Sequence, residues 1–76
     1  MSDRISQLKP KELMRALEKL GFIFRRQTGS HAIFRYPKTC RFAIVPVHAR
    51  DIKRSLLFGL LKQADISIED LRKALR

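Results

Sequence analysis

Gly29-Ser30-His31 lies between two short runs that read as strands, in a chain of 76 residues with 17 Lys and Arg against 7 Asp and Glu. A histidine exchanges a proton near neutral pH, and a glycine beside it lets another backbone or a phosphate come close. Arg25, Arg26, Arg35 and Arg41 surround this tripeptide in the sequence and would hold a polyanion against the imidazole. These residue types together point to chemistry on nucleic acid. A purely structural reading stays open at this stage: a strand-end histidine bonded to a nearby carbonyl, with arginines that serve only solubility.

Other chemistries fit the residues less well. Ser30 and His31 are adjacent, and neighbouring side chains on a strand diverge, so they lack the geometry of an activated serine nucleophile. Two histidines, one cysteine and scattered acids form no group with zinc or magnesium spacing, and no cofactor is expected. A metal-free cut would use the 2′-hydroxyl that distinguishes RNA from DNA. Its attack on the adjacent phosphorus gives a 2′,3′-cyclic phosphate and a 5′-hydroxyl. His31 would move a proton, as base or as acid, while Arg25, Arg26 or Arg35 neutralises the developing charge. His48 and Tyr36 are candidates for a second proton-transfer group.

A formal charge of +10 on so small a body means self-repulsion that an acidic partner relieves. Nucleic acid and an acidic protein both suit. A membrane surface suits least, since no helix is both strongly basic on one face and free of a core to join. Nothing approaches the roughly 20 apolar residues of a membrane span, and Met1-Ser2-Asp3-Arg4 opens no signal-like run. Cys40 has no internal partner, which favours the reducing cytoplasm and a buried or half-buried structural thiol.

The elements that must position these residues are short. Residues 1–76 suit one domain, compact from about Ile5 to Leu75. Pro10 suits a first helical position, Leu13, Met14, Leu17 and Leu20 follow at helical spacing, and Gly21 suits a left-handed cap from which Phe22 folds back onto Leu17. Phe22 to Gln27, His31 to Tyr36 and Arg41 to Val47 read as strands, with Pro46 at an edge or strand end. A second helix is expected from Asp51, with Ile52, Leu56, Leu57, Leu60, Leu61 and Ala64 on one arc. With Leu56 as zero, that arc spans about −40° to 140° and Phe58 lies near 200°, either under the last helix or presented to a partner. Ser67 is a good N-cap for that last helix, with Ile66 and Leu71 at staple spacing.

The order is α-β-β-β-α-α, an α+β fold with helices on one face of a three-stranded antiparallel sheet. If Ala32, Phe34 and Tyr36 face the helices, His31 and Arg35 become neighbours on the open face, with Ile33 interrupting the polar set.

The runs Gly21-Phe22, Gly29-Ser30-His31, Val45-Pro46-Val47-His48, Leu61-Lys62-Gln63-Ala64 and Ile66-Ser67 resemble HicA, the toxin of HicBA toxin–antitoxin pairs, over about residues 8 to 75. The resemblance implies a fold like the double-stranded-RNA-binding domain. It also implies metal-independent cleavage of mRNA with His31 as the catalytic histidine, and inhibition by a HicB-like antitoxin. The chain departs from the family pattern at Ser55-Leu56, where Gly-Thr is usual, at Phe58, where a basic residue is usual, and at Asp65, where glycine is usual. Two further readings are a noncatalytic RNA-binding module and an interaction domain for an acidic partner.

Overall fold

Pro10 opens α1 (Pro10–Lys19), where a missing amide hydrogen costs nothing and the fixed φ is already helical. The computed structural model describes residues 8–76; the expected start of the compact region at Ile5 lies outside them. The Lys9 amide donates to Glu12 Oε1 at 3.1 Å, which satisfies one of the helix's orphan donors. Leu13, Ala16 and Leu17 fill the buried stripe, each buried leucine being worth about 1.5–3 kcal/mol over exposure. At the other end Gly21 adopts φ +102°. The Phe22 amide then reaches the Leu17 carbonyl at 2.9 Å and the Gly21 amide the Glu18 carbonyl at 3.1 Å, the paired bonds of a Schellman cap.

Three strands follow, β1 (Ile23–Thr28), β2 (His31–Tyr36) and β3 (Arg41–Pro46), in an antiparallel sheet of order β1-β2-β3. Period-two alternation sends Ala32, Phe34, Ala43 and Val45 into the core. Helix α1 lies against the sheet and against α3, while α2 packs along the edge strand β3. The expected α-β-β-β-α-α order and one-sided helical layer are thus observed.

The second helix, α2 (Arg54–Ala64), begins three residues later than expected, after Lys53 in extended conformation. Ile52 explains the delay. Its amide is bonded to the Leu8 carbonyl at 2.7 Å and its side chain is buried, so it pins the segment before α1 rather than joining a helical turn. Beside it Lys9 Nζ lies 3.5 Å from Asp51 Oδ1, an exposed pair of small energetic weight.

The last helix, α3 (Ile68–Ala74), starts as expected, with Ser67 Oγ accepting from the Asp70 amide at 3.1 Å and Leu71 buried. Between α2 and α3, Asp65 sits at φ 59° in a second Schellman arrangement, with the Ile66 amide on the Leu61 carbonyl at 2.9 Å. That left-handed position favours glycine, and a carboxylate opposes the negative end of the helix dipole. Asp65→Gly is expected to stabilise the fold by about 0.5–1 kcal/mol, visible as a Tm several degrees higher. An unchanged or lower Tm would show that the Asp65 carboxylate compensates. No helix among the described residues is long and apolar enough to cross a membrane.

Candidate functional site

Thr28 and His31 face each other across β1 and β2, so Gly29-Ser30 is a two-residue hairpin loop. Gly29 takes φ +56°, the positive first position of a type II′ turn, where an L-residue costs about 1–2 kcal/mol. Two bonds hold the loop from outside. Gln27 Nε2 donates to the Gly29 carbonyl at 3.2 Å, and the Val47 amide, just past β3, donates to the Ser30 carbonyl at 2.8 Å. A β-carbon at Gly29 would meet nothing within 4 Å, so the space above the turn is open to a ligand. His31 leaves this turn onto the open face of the sheet with its side chain exposed. Among the described residues its imidazole has no hydrogen-bond partner, so the carbonyl-bonded structural role is not what the structure shows.

The strand register divides the arginines. Rows across the open face are Thr28-His31-Pro46, then Arg26-Ile33-Ile44, then Ile23-Arg35-Phe42. Arg26 is therefore a diagonal neighbour of His31, about 7–8 Å away at the backbone and within reach of a long side chain. Arg25 is the extra residue of a bulge between Phe24 and Arg26, exposed and without a partner on β2. Arg35 shares the face but stands four residues along β2 from His31, about 13 Å. Its Nη2 turns to Cys40 Sγ at 2.7 Å. The expectation that Arg35 and His31 are neighbours is thus corrected. So is that of a buried or half-buried Cys40, which is exposed in the β2–β3 turn.

Arg41 leaves the expected cluster altogether. It pairs with Tyr36 at the far end of the sheet and donates from Nη1 to the Gln63 carbonyl of α2 at 3.2 Å. Tyr36 lies on the helix-covered face, its ring 5.2 Å from that of Phe22 and closely against Gly21. Opposite faces and opposite ends of β2 separate it from His31, so it is no second proton carrier for the same phosphate. His48 is exposed beyond β3. It neither caps α2, which starts six residues later, nor bonds His31 among the described residues.

The middle of the open face is apolar rather than polar. Phe42 and Ile44 are 43% and 42% exposed, Ile33 is half-buried between Arg26 and Ile44, and Ile23 is exposed. Where this face meets α2, a groove of about 420 Å³ opens, with His31, Ile44 and Pro46 on the sheet side and Ser55, Leu56 and Gly59 on the helix side. Gln63 lines it further along α2. None of these groove residues except His31 was singled out as a site from the sequence. The signal available was Gly59, a glycine inside a helix at a cost of about 1 kcal/mol relative to alanine.

Helix α2 has two different flanks. With Leu57 as zero, the buried Leu60, Leu61 and Ala64 fall within about −60° to +40°, and Leu56, Gln63 and Gly59 follow on one side at about −100°, −120° and −160°. Leu56 is therefore outside the core stripe, 46% exposed, a correction to the expected arc. Phe58 lies on the other side at about +100°. It is not under α3: it is 42% exposed, with the Arg54 guanidinium carbon 5.6 Å from its ring centroid.

Among the described residues, no three His, Cys, Asp or Glu side chains come together in a way that could hold a metal ion. A model of the family described as "HicA toxin of bacterial toxin-antitoxin" matches residues 10–66, which include the whole sheet, α1, α2 and the hairpin that carries His31. No curated protein matches the chain.

Proposed function

The chain belongs to the HicA toxin family of bacterial toxin–antitoxin systems, and from that premise we propose that it is a metal-independent endoribonuclease that cleaves mRNA, with His31 moving the proton and a HicB-like antitoxin holding it inactive. The observation that carries this reading is His31 itself: exposed, without a hydrogen-bond partner among the described residues, and fixed at the end of a doubly clamped hairpin. An imidazole so placed is free to bond a substrate, and its backbone is already ordered.

In the proposed step the 2′-oxygen forms a bond to phosphorus as the bond from phosphorus to O5′ breaks. The 2′-hydroxyl proton goes to a base and O5′ takes up a proton, so no water is consumed. His31 performs one of these two transfers. Arg26, diagonal to it, supplies positive charge to the phosphorane-like transition state. Gly29 offers an approach in which the phosphate meets only backbone. The test is incubation of the purified protein with single-stranded or mRNA-like RNA in EDTA. Fragments ending in 2′,3′-cyclic phosphate and 5′-hydroxyl are expected. A folded protein that binds RNA and never cuts it would leave the noncatalytic module in place of the enzyme.

For the antitoxin, the reading rests on charge and on Phe58. A chain of +10 favours an acidic partner, and an exposed aromatic under an arginine is a suitable anchor for it. Phe58→Ala is expected to weaken the antitoxin complex by about 1–3 kcal/mol, while the free protein still cleaves RNA, because Phe58 lies on the flank of α2 away from the groove. Isothermal titration of the two purified proteins measures the first effect. Loss of folding with unchanged affinity per folded molecule would return Phe58 to the core.

A further inference from the structure

We propose that the groove between β3 and α2 takes a single unpaired nucleobase of the RNA whose phosphate lies at His31, and so sets which sequences are cut. The inference rests on the endoribonuclease reading and adds to it the position of a base.

Four observations lead there. First, the groove shares His31 with the catalytic end of the sheet, so whatever fills it is covalently close to the reacting phosphate. Second, its walls are apolar, Ile44 and Pro46 against Leu56, which suits the flat faces of a base turned out of a single strand. Third, the groove also carries Ser55 and the side-chain amide of Gln63, and among the described residues neither makes a side-chain hydrogen bond. A hydroxyl and a carboxamide present both donors and acceptors, the groups that read a base edge. Fourth, Gly59 is exposed in the groove, and nothing lies within 4 Å of where its β-carbon would be. Glycine is among the poorest helix formers, so its position mid-helix is better explained by the room it leaves than by the helix.

Charge decides between occupants. The groove adjoins a face bearing Arg26, on a chain of net charge +10, and the backbone of a base held there would run past that cation. The volume of about 420 Å³ lies in the range of small-molecule sites and accommodates one base with its sugar.

The experiment uses a short single-stranded RNA carrying 2′-deoxyribose throughout the region tested, which binds but has no nucleophile for cleavage. Amide resonances of Ser55, Leu56, Gly59 and Gln63 are expected to shift on titration. Gly59→Leu fills the groove from a helix position that leucine favours, so folding is retained. It is expected to lower affinity for this oligomer by about 5–150-fold, the range of one lost base-stacking site, and to flatten base preference around the cut in cleavable RNA. Groove resonances that stay still while the oligomer binds, or a folded Gly59→Leu with wild-type affinity and cut-site profile, would overturn the proposal. An apolar side chain of the antitoxin as sole occupant would give that first result. If the groove responds to the oligomer but no RNA is ever cut, the base site stands and the endoribonuclease reading falls.

Discussion

His31→Ala is expected to lower RNA cleavage by about 10²–10⁴-fold, the usual contribution of a positioned proton-transfer group, while changing folding stability by less than about 0.5 kcal/mol. The two effects separate because His31 is exposed and among the described residues makes no hydrogen bond that its removal would orphan. The hairpin it ends is held by the Gly29 and Ser30 carbonyls, not by its imidazole. Single-turnover cleavage in EDTA measures the first quantity and denaturant unfolding the second. Induced expression in cells provides a further readout, with growth arrest and RNA loss for the wild type and neither for the variant. His48→Ala is the comparison, expected to keep its activity because His48 bonds neither α2 nor His31 among the described residues. If His31→Ala cuts at the wild-type rate, the proton moves elsewhere and the site is wrongly placed.

Much of the positioning of His31 was legible in the sequence because it is local. Gly21 at a left-handed cap, Pro10 at the first helical position, Ser67 as N-cap and the bounds of β2 all follow from the conformational needs of single residues, and each is observed. What failed depends on distance along and across elements. Arg25, Arg26, Arg35 and Arg41 look like one cluster in a list of residues. A strand, however, advances about 3.3 Å per residue and alternates faces, so Arg35 turns to Cys40 and Arg41 to Gln63. The same spacing removes Tyr36 from the site.

The groove was legible only as the costly Gly59 inside a helix, because its walls need α2 beside β3. The α2 leucines are too many for one stripe, and a wheel drawn on all of them shifts the centre of the core about 40° toward Leu56. The wheel already sets Phe58 outside the arc, but only the observed burial of Leu57, Leu60, Leu61 and Ala64 shows that Leu56 lies outside it too. Likewise β3 is apolar on both faces, so alternation alone does not say whether Phe42 and Ile44 or Ala43 and Val45 are inside.

The division of the arginines gives a second large effect. Each phosphate neutralised on a single strand contributes about −0.7 to the slope of log affinity against log salt, through released counterions. Arg26 is the diagonal neighbour of His31 and Arg25 is the free residue of the adjacent bulge. Replacing both with alanine is expected to flatten that slope by about 1.4. Arg26→Ala alone is expected to slow cleavage by about 10–100-fold, because in the proposed mechanism its charge also stabilises the transition state. Arg41 is the control in the same protein. Its guanidinium is bonded to the Gln63 carbonyl, and its place in β3 is paired with Tyr36 at the other end of the sheet. Arg41→Ala therefore removes the same single charge as Arg26→Ala and is expected to cost less of the slope and of the rate, because Arg41 reaches only the backbone carbonyl of Gln63 at the far end of the groove. Fluorescence anisotropy with a non-cleavable strand across a salt series reads the slopes, and cleavage kinetics read the rates. Equal losses from Arg26→Ala and Arg41→Ala would mean that overall charge, and not the face that carries His31, governs RNA binding.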